Sequence, residues 1–137
     1  MRILIVEDEC LIALALADSL EQGGHEVLGP AGTMDEALAL CEATAPPDLA
    51  VLDIDLRDGS SGVDVARALL HRWGVLSIFA SGQVAEARRA QDIAFGCISK
   101  PYHCETVLRS LEMAHRVIGG GGPEAVPAGL ELFAAGR

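Results

Sequence analysis

The chain has 137 residues, half of them hydrophobic and 22% charged, with 20 acidic against 10 basic side chains and a net charge of −10. That length suits one domain with a real core, and the composition is globular rather than disordered. The acidity argues against nucleic acid and an anionic membrane as main partners, because both demand clustered Lys and Arg.

In chain order, RILIV (2–6) is a short β-branched apolar run, as a buried parallel strand should be. Ile12, Leu16 and Leu20 then share one face of a helix over 9–22 that stops at Gly23-Gly24. HEVLG (25–29) reads as a second strand, broken at Pro30 and Gly32. Thr33 and Glu36 form a capping box for a helix that runs to about Thr44, before Pro46-Pro47. LAVLDI (49–54) is a third strand, followed by the turn RDGSSG and a helix marked by Val63, Ala66, Leu70 and Trp73. VLSIFAS (75–81) is a fourth strand, and 83–93 predicts only a short or frayed helix. GCIS (96–99) is a brief fifth strand, and Val107, Leu111, Ala114 and Ile118 mark a last amphipathic helix.

Alternation of five strands with five helices implies a flavodoxin-like (βα)5 α/β sandwich. Its parallel five-stranded sheet would have the order 2-1-3-4-5. The domain is expected over 1–118. From Gly119 the chain holds eight Gly or Pro in 19 residues, so 119–137 reads as a flexible tail. Leu130, Leu132 and Phe133 within it would suit a short peptide docking on a partner or on its own domain. No apolar run approaches the ~18 residues of a membrane span. The start, MRILIVEDE, turns acidic too soon for a signal peptide, so a cytoplasmic location is expected. Cys10, Cys41, Cys97 and Cys104 show no CxxC or zinc-like spacing, and small buried thiols are the ordinary reading.

In open α/β sheets, ligands bind beyond the carboxyl ends of the strands. Glu7-Asp8-Glu9 follow the first strand, Asp53 and Asp55 end the third, Ser81 ends the fourth, and Lys100-Pro101 follow the fifth. Each has an ordinary explanation alone: acids favour helix starts, and Asp is a common turn residue. Together, at successive strand ends, they gather two to four carboxylates, a hydroxyl and an ammonium in one shallow pocket. Lys100 is the sole lysine, since the other nine basic residues are Arg. Close carboxylates repel, and a divalent cation with oxygen ligands and water, Mg2+ rather than Zn2+, relieves that. A partly hydrated Mg2+ invites a phosphoryl group. One Asp would then be the nucleophile, with Ser and Lys taking the phosphoryl oxygens.

ILIVEDE, PDLAVLDIDLRDGSSGVDVA and ISKPY together resemble the receiver domain of bacterial two-component response regulators over residues 1–118. The resemblance implies that Asp53 is the phosphoacceptor, served by a sensor histidine kinase or a histidine phosphotransfer protein. It implies that Asp8, Asp53 and the backbone carbonyl of Asp55 hold Mg2+, with Mn2+ or Ca2+ as substitutes, and that Glu7 acts through water. Ser81 would swing toward the phosphoryl group, and Lys100 would pair first with Asp53 and then with that group. The Lys100–Pro101 bond would be cis. Cys97 stands where the family often has an aromatic switch residue. FASGQ (79–83) is similar to the FATGUY subgroup, whose fourth helix is short.

These features together imply a stand-alone regulator that is not an enzyme beyond autodephosphorylation. It would signal to a downstream protein target, or shuttle phosphate, with a homodimer through the helix 4–strand 5–helix 5 face as one mode. Two rivals are a phosphorylation-independent interaction module of the same fold and a small Mg2+-dependent aspartyl phosphohydrolase. The second would need Asp55 as general acid.

Overall fold

A computed structural model of the chain describes residues 1–56, 58–121 and 125–133. The strands are β1 (Arg2–Val6), β2 (Glu26–Ala31), β3 (Leu49–Asp53), β4 (Leu76–Ser81), β5 (Ala94–Ser99) and β6 (Leu130–Leu132). The helices are α1 (Cys10–Gln22), α2 (Met34–Ala43), α3 (Gly62–Trp73), α4 (Val84–Arg88) and α5 (Cys104–Ile118). They build one sheet of order β2-β1-β3-β4-β5-β6. The first five strands pair in parallel, as alternation with helices predicts. Among the described residues no helix is long and apolar enough to cross a membrane.

Because strand side chains alternate between faces, the two faces of the sheet feed separate cores. Leu4, Val6, Leu52 and Phe79 face Ala37 of α2, Val65 and Leu69 of α3 and Ala87 of α4. Ile3, Ile5, Val51, Ile78 and Phe95 face Leu16 and Leu20 of α1 and Val107 and Leu111 of α5. Burial on both sides explains why these strands read as continuous apolar runs.

Local chemistry sets the ends. The Thr33 hydroxyl accepts from the Glu36 N–H at 3.1 Å. Glu36 answers on the Gly32 N–H, one residue earlier than a strict capping box. The Ser61 hydroxyl caps α3 through the Val63 N–H at 3.1 Å, and Gly74 closes that helix in the left-handed region. Helix α4 has only five residues, as its weak periodicity suggests.

Three expectations are corrected. Cys10, expected among the buried thiols, is exposed at the first turn of α1, whereas Cys41 and Cys97 are buried. Pro30 does not break the second strand. The β1–β2 register jumps from Leu4↔Leu28 to Val6↔Ala31, so Gly29 and Pro30 together oppose Ile5 in a bulge. Proline, which has no N–H to donate, is tolerated because β2 is the sheet edge. The tail is corrected over 129–133. β6 pairs antiparallel with β5, the Ser99 N–H donates to the Gly129 carbonyl at 3.2 Å, and the Phe133 N–H donates to the Phe95 carbonyl at 2.9 Å. Leu130 enters the α1/α5 core and Phe133 the α2/α3/α4 core, since three residues of strand change the face. Residues 122–124 and 134–137 of the expected flexible tail lie outside the described residues. β5, part of the face expected for a homodimer, is paired along its edge with β6 of the same chain.

Gly62 sets how closely α3 approaches the sheet. A Cβ there would stand 2.1 Å from the Asp53 carbonyl oxygen, and the Gly62 N–H donates to the Ile54 carbonyl at 2.8 Å. Gly62→Ala is therefore expected to lose about 1–3 kcal/mol in urea unfolding. Gly82→Ala, with none of the described residues within 4 Å of the new methyl, is expected to stay within about 0.5 kcal/mol of the parent.

Candidate functional site

Four parallel strands end side by side, and each apolar run stops where its first polar side chain leaves the core. β1 delivers Glu7 and Asp8, β3 delivers Asp53, β4 delivers Ser81, and β5 delivers Lys100. The bulge helps to place the first of these, since the Glu7 N–H donates to the Ala31 carbonyl at 2.9 Å.

Lys100 lies between two buried acids. Its Nζ is 3.2 Å from Glu7 Oε1 and 3.3 Å from Asp53 Oδ2. Asp53 Oδ1 accepts the Asp55 backbone N–H at 3.2 Å, so both acceptor oxygens are oriented. Carboxylate oxygens of Glu7, Asp8 and Asp53 all lie within 4.8 Å of one another. The Lys100–Pro101 bond is cis.

Burial and charge act on the same groups. Burial, followed by the Asp53 carboxylate, pushes Glu7 from 4.5 up to about 7, with Lys100 opposing. Burial works against the charge on Lys100, yet Glu7 and Asp53 outweigh it and hold the ammonium above its ordinary value. Glu7 Oε2 is buried and has no hydrogen-bond partner among the described residues. Two carboxylates that face each other need a proton or a cation between them. Three carboxylates against one ammonium leave a formal charge of −2, and all the side-chain donors are oxygens. Glu7, Asp8 and Asp53 therefore fit Mg2+, for which hard oxygen ligands and retained waters are the rule.

Glu7, Asp8, Asp53 and Lys100 are thus brought together as the sequence predicted, with the Asp55 backbone beside them. The Asp55 carboxylate itself is exposed, and the residue bridges to Ser61. Ser81 is at the neighbouring strand end, where its carbonyl accepts the Lys100 N–H at 2.9 Å. Its hydroxyl is engaged elsewhere: it accepts from the Gln83 N–H at 2.9 Å and reaches the Gln83 carbonyl at 3.3 Å. Cys97 is buried on β5, and burial, then Glu131, pushes its thiol up to about 11. It is a protonated core residue at neutral pH. Pro101 and Tyr102 line the mouth beside Lys100.

Sequence reasoning missed Gly62, which backs Asp53, and Gln83, which holds the Ser81 hydroxyl. The turn-to-helix step SSG could have flagged the first. No pattern marks the second, because its contact uses backbone atoms.

The Glu7 shift predicts a pH effect. A carboxyl raised in the folded state keeps a proton that the unfolded chain gives up. Its contribution is full below about 4.5 and is lost as pH rises to about 7. In chelator, thermal stability is expected to fall across this window, and Mg2+ is expected to restore it increasingly as pH rises. Glu7→Gln should flatten both trends in a thermal-shift series; an unchanged slope would reject the assignment.

Comparison with known proteins agrees with this geometry. The family model described as the response regulator receiver domain matches residues 3–112. The phyllosphere-induced regulator PhyR of Methylorubrum extorquens is 46% identical over 77 residues, 56% of this chain and 29% of that protein. The transcriptional regulatory protein PdtaR of Mycobacterium tuberculosis is 34% identical over 117 residues, 82% of this chain and 56% of that protein. The chain thus spans about a third to a half of the length of these curated relatives when aligned. Among solved structures, the PhyR receiver domain of Erythrobacter litoralis superposes with a TM-score of 0.72 at 31% identity, covering 91% of this chain and 95% of that one. A CheY-like receiver domain protein of Methanospirillum hungatei gives 0.75 at 28% identity, covering 88% and 98%. Sequence match, sheet order and acid cluster converge on one assignment: the chain belongs to the response regulator receiver domains of two-component signalling.

Proposed function

We propose that this receiver is a phosphoryl acceptor that works by Asp53 and Mg2+. The observation that carries the reading is the Asp53 carboxylate, held by Lys100 and the Asp55 N–H beside two further acids. An Asp53 oxygen attacks the phosphorus of a phosphohistidine on a kinase or histidine phosphotransfer protein. The P–N bond breaks, its electron pair returns to the imidazole nitrogen, and an acyl phosphate forms on Asp53. Mg2+, when bound by Glu7, Asp8 and Asp53, with the Asp55 carbonyl at hand, supplies positive charge to the transferring oxygens, and Mn2+ or Ca2+ are substitutes. Lys100 passes from the Asp53 carboxylate to a phosphoryl oxygen. The Ser81 hydroxyl exchanges Gln83 for another.

The donor has a place to dock. Leu11, Ile12 and Leu14 project from α1 into solvent, Leu11 at 84% exposure. Beside them a pocket of about 450 Å3 is lined by Glu9, Ile12, Ala15, Lys100, Pro101, Tyr102 and Cys104, apolar but for the acid and the ammonium at its rim. An apolar groove opening on Lys100 suits a helix that carries the phosphohistidine. The output is contact with a downstream protein, by a population shift that follows the Ser81 exchange. An aspartyl phosphohydrolase would need Asp55 as a general acid held over the site, and that residue is exposed.

Intact mass after incubation with acetyl phosphate and Mg2+ is expected to show one phosphoryl adduct. Asp53→Ala and a chelator control should each remove it; an adduct indifferent to both would reject the reading. Asp55→Ala is expected to change the rate of adduct loss several-fold, read by the same mass assay over time. An unchanged rate would count against a role for that acid.

A further inference from the structure

The β5 edge already has an occupant. Residues 129–133 pair along it, Leu130 and Phe133 are buried on opposite faces of the sheet, and Glu131 meets Arg88 of α4 through two contacts of 2.7 and 2.6 Å. Gly96 is what lets this segment approach. A Cβ at Gly96 would stand 2.4 Å from the Glu131 carbonyl oxygen. The edge therefore reads an extended segment in three ways: by backbone ladder, by apolar side chains on both faces, and by one acid placed for Arg88.

The segment reaches the edge from its own domain. Helix α5 runs about 22 Å for its 15 residues. The ten residue steps from Gly119 to Gly129 span up to about 35 Å, enough to return along the helix. Ala125, Val126 and Pro127 line a cleft together with Arg109, Glu112 and Arg116 of α5, on that path. The hold is slight for a sheet strand. It has three strand residues, the ion pair is solvent-exposed, and the approach passes through consecutive glycines.

We propose that residues 129–133 are a cis-acting strap, an internal ligand of the β5 edge that has to leave before an extended segment of another protein can pair there. The strap defines the chemistry of that partner: an apolar–acidic–apolar strand ending in an aromatic, as in its own LELF.

The test uses the full chain and a labelled peptide with the sequence of residues 125–133. In the parent, backbone hydrogen exchange across 94–99 should be slow and the peptide should not bind. Glu131→Arg, an exposed substitution, should unseat the strap, raise exchange about tenfold at those amides of 94–99 that face it, Ser99 among them, and admit the peptide. Adding Arg88→Glu should re-seat the reversed pair and exclude the peptide again. Gly96→Ala should release the strap yet admit no peptide, because the new methyl blocks any strand. Unchanged exchange in Glu131→Arg, or equal peptide binding to parent and variant, would overturn the proposal. So would protection that falls on dilution with a dimer in light scattering, which would place the strap of one copy on another. None of these readouts involves phosphorylation, so they stand or fall apart from Asp53.

Discussion

A single ammonium sits where three acids converge, and much of the molecule serves to put it there. Lys100 touches Glu7 from β1 and Asp53 from β3, three and two places along the sheet from its own strand. Carboxylates this close and this buried repel, and desolvation adds to the cost of their charge. The sheet order makes the meeting possible, because β1, β3, β4 and β5 end together only when the chain crosses over between them. The two apolar cores hold those strands in register, and the glycine at the start of α3 keeps that helix against the Asp53 carbonyl. The site is therefore electrostatically strained and mechanically braced, which is the condition for a cation or a phosphoryl group to change it.

Much of this was legible in the residues. Apolar runs of five or six without alternation identified strands buried on both faces. The polar residue that ended each one identified the site, and the weak periodicity after Ser81 foretold a short α4. The β2 bulge was not legible, because Gly-Pro is also the commonest sign of a turn, and only the edge position lets a proline stay in a strand. The docking of Leu130 and Phe133 was half legible. Two large apolar residues in a Gly/Pro-rich tail are an anomaly, but their partner, Gly96, is notable only for what it lacks. The Ser81 hydroxyl contact was hidden for a different reason: its partner is the backbone of Gln83, and any residue except proline supplies the same N–H.

A continuous set of contacts joins the acid cluster to the strap. The Ser81 carbonyl holds the Lys100 N–H, the Ser81 hydroxyl holds Gln83, Gln83 opens α4, and α4 ends in Arg88, which grips Glu131. The magnitudes place the strap near balance. Burying Leu130 and Phe133 contributes roughly 1.5–3 kcal/mol each. Fixing the backbone of five residues costs about 1–2 kcal/mol each, which ladder hydrogen bonds only partly offset. The two totals overlap, unlike those for β1 or β3, most of whose side chains belong to one of the cores.

The two borders of the sheet are protected by different means. On one side Pro30 and its bulge interrupt the row of backbone donors permanently. On the other, β5 is AFGCIS, six residues with no charge and no proline, five of them buried. Bare, such a strand is a template for stacking with copies of itself. β6 covers it with a strand of three residues that puts Glu131 on the outside, too short and too charged to propagate the sheet. The same five-residue segment that fills the edge thus guards the protein's solubility, and an uncovered chain persists only while something else lies along that edge.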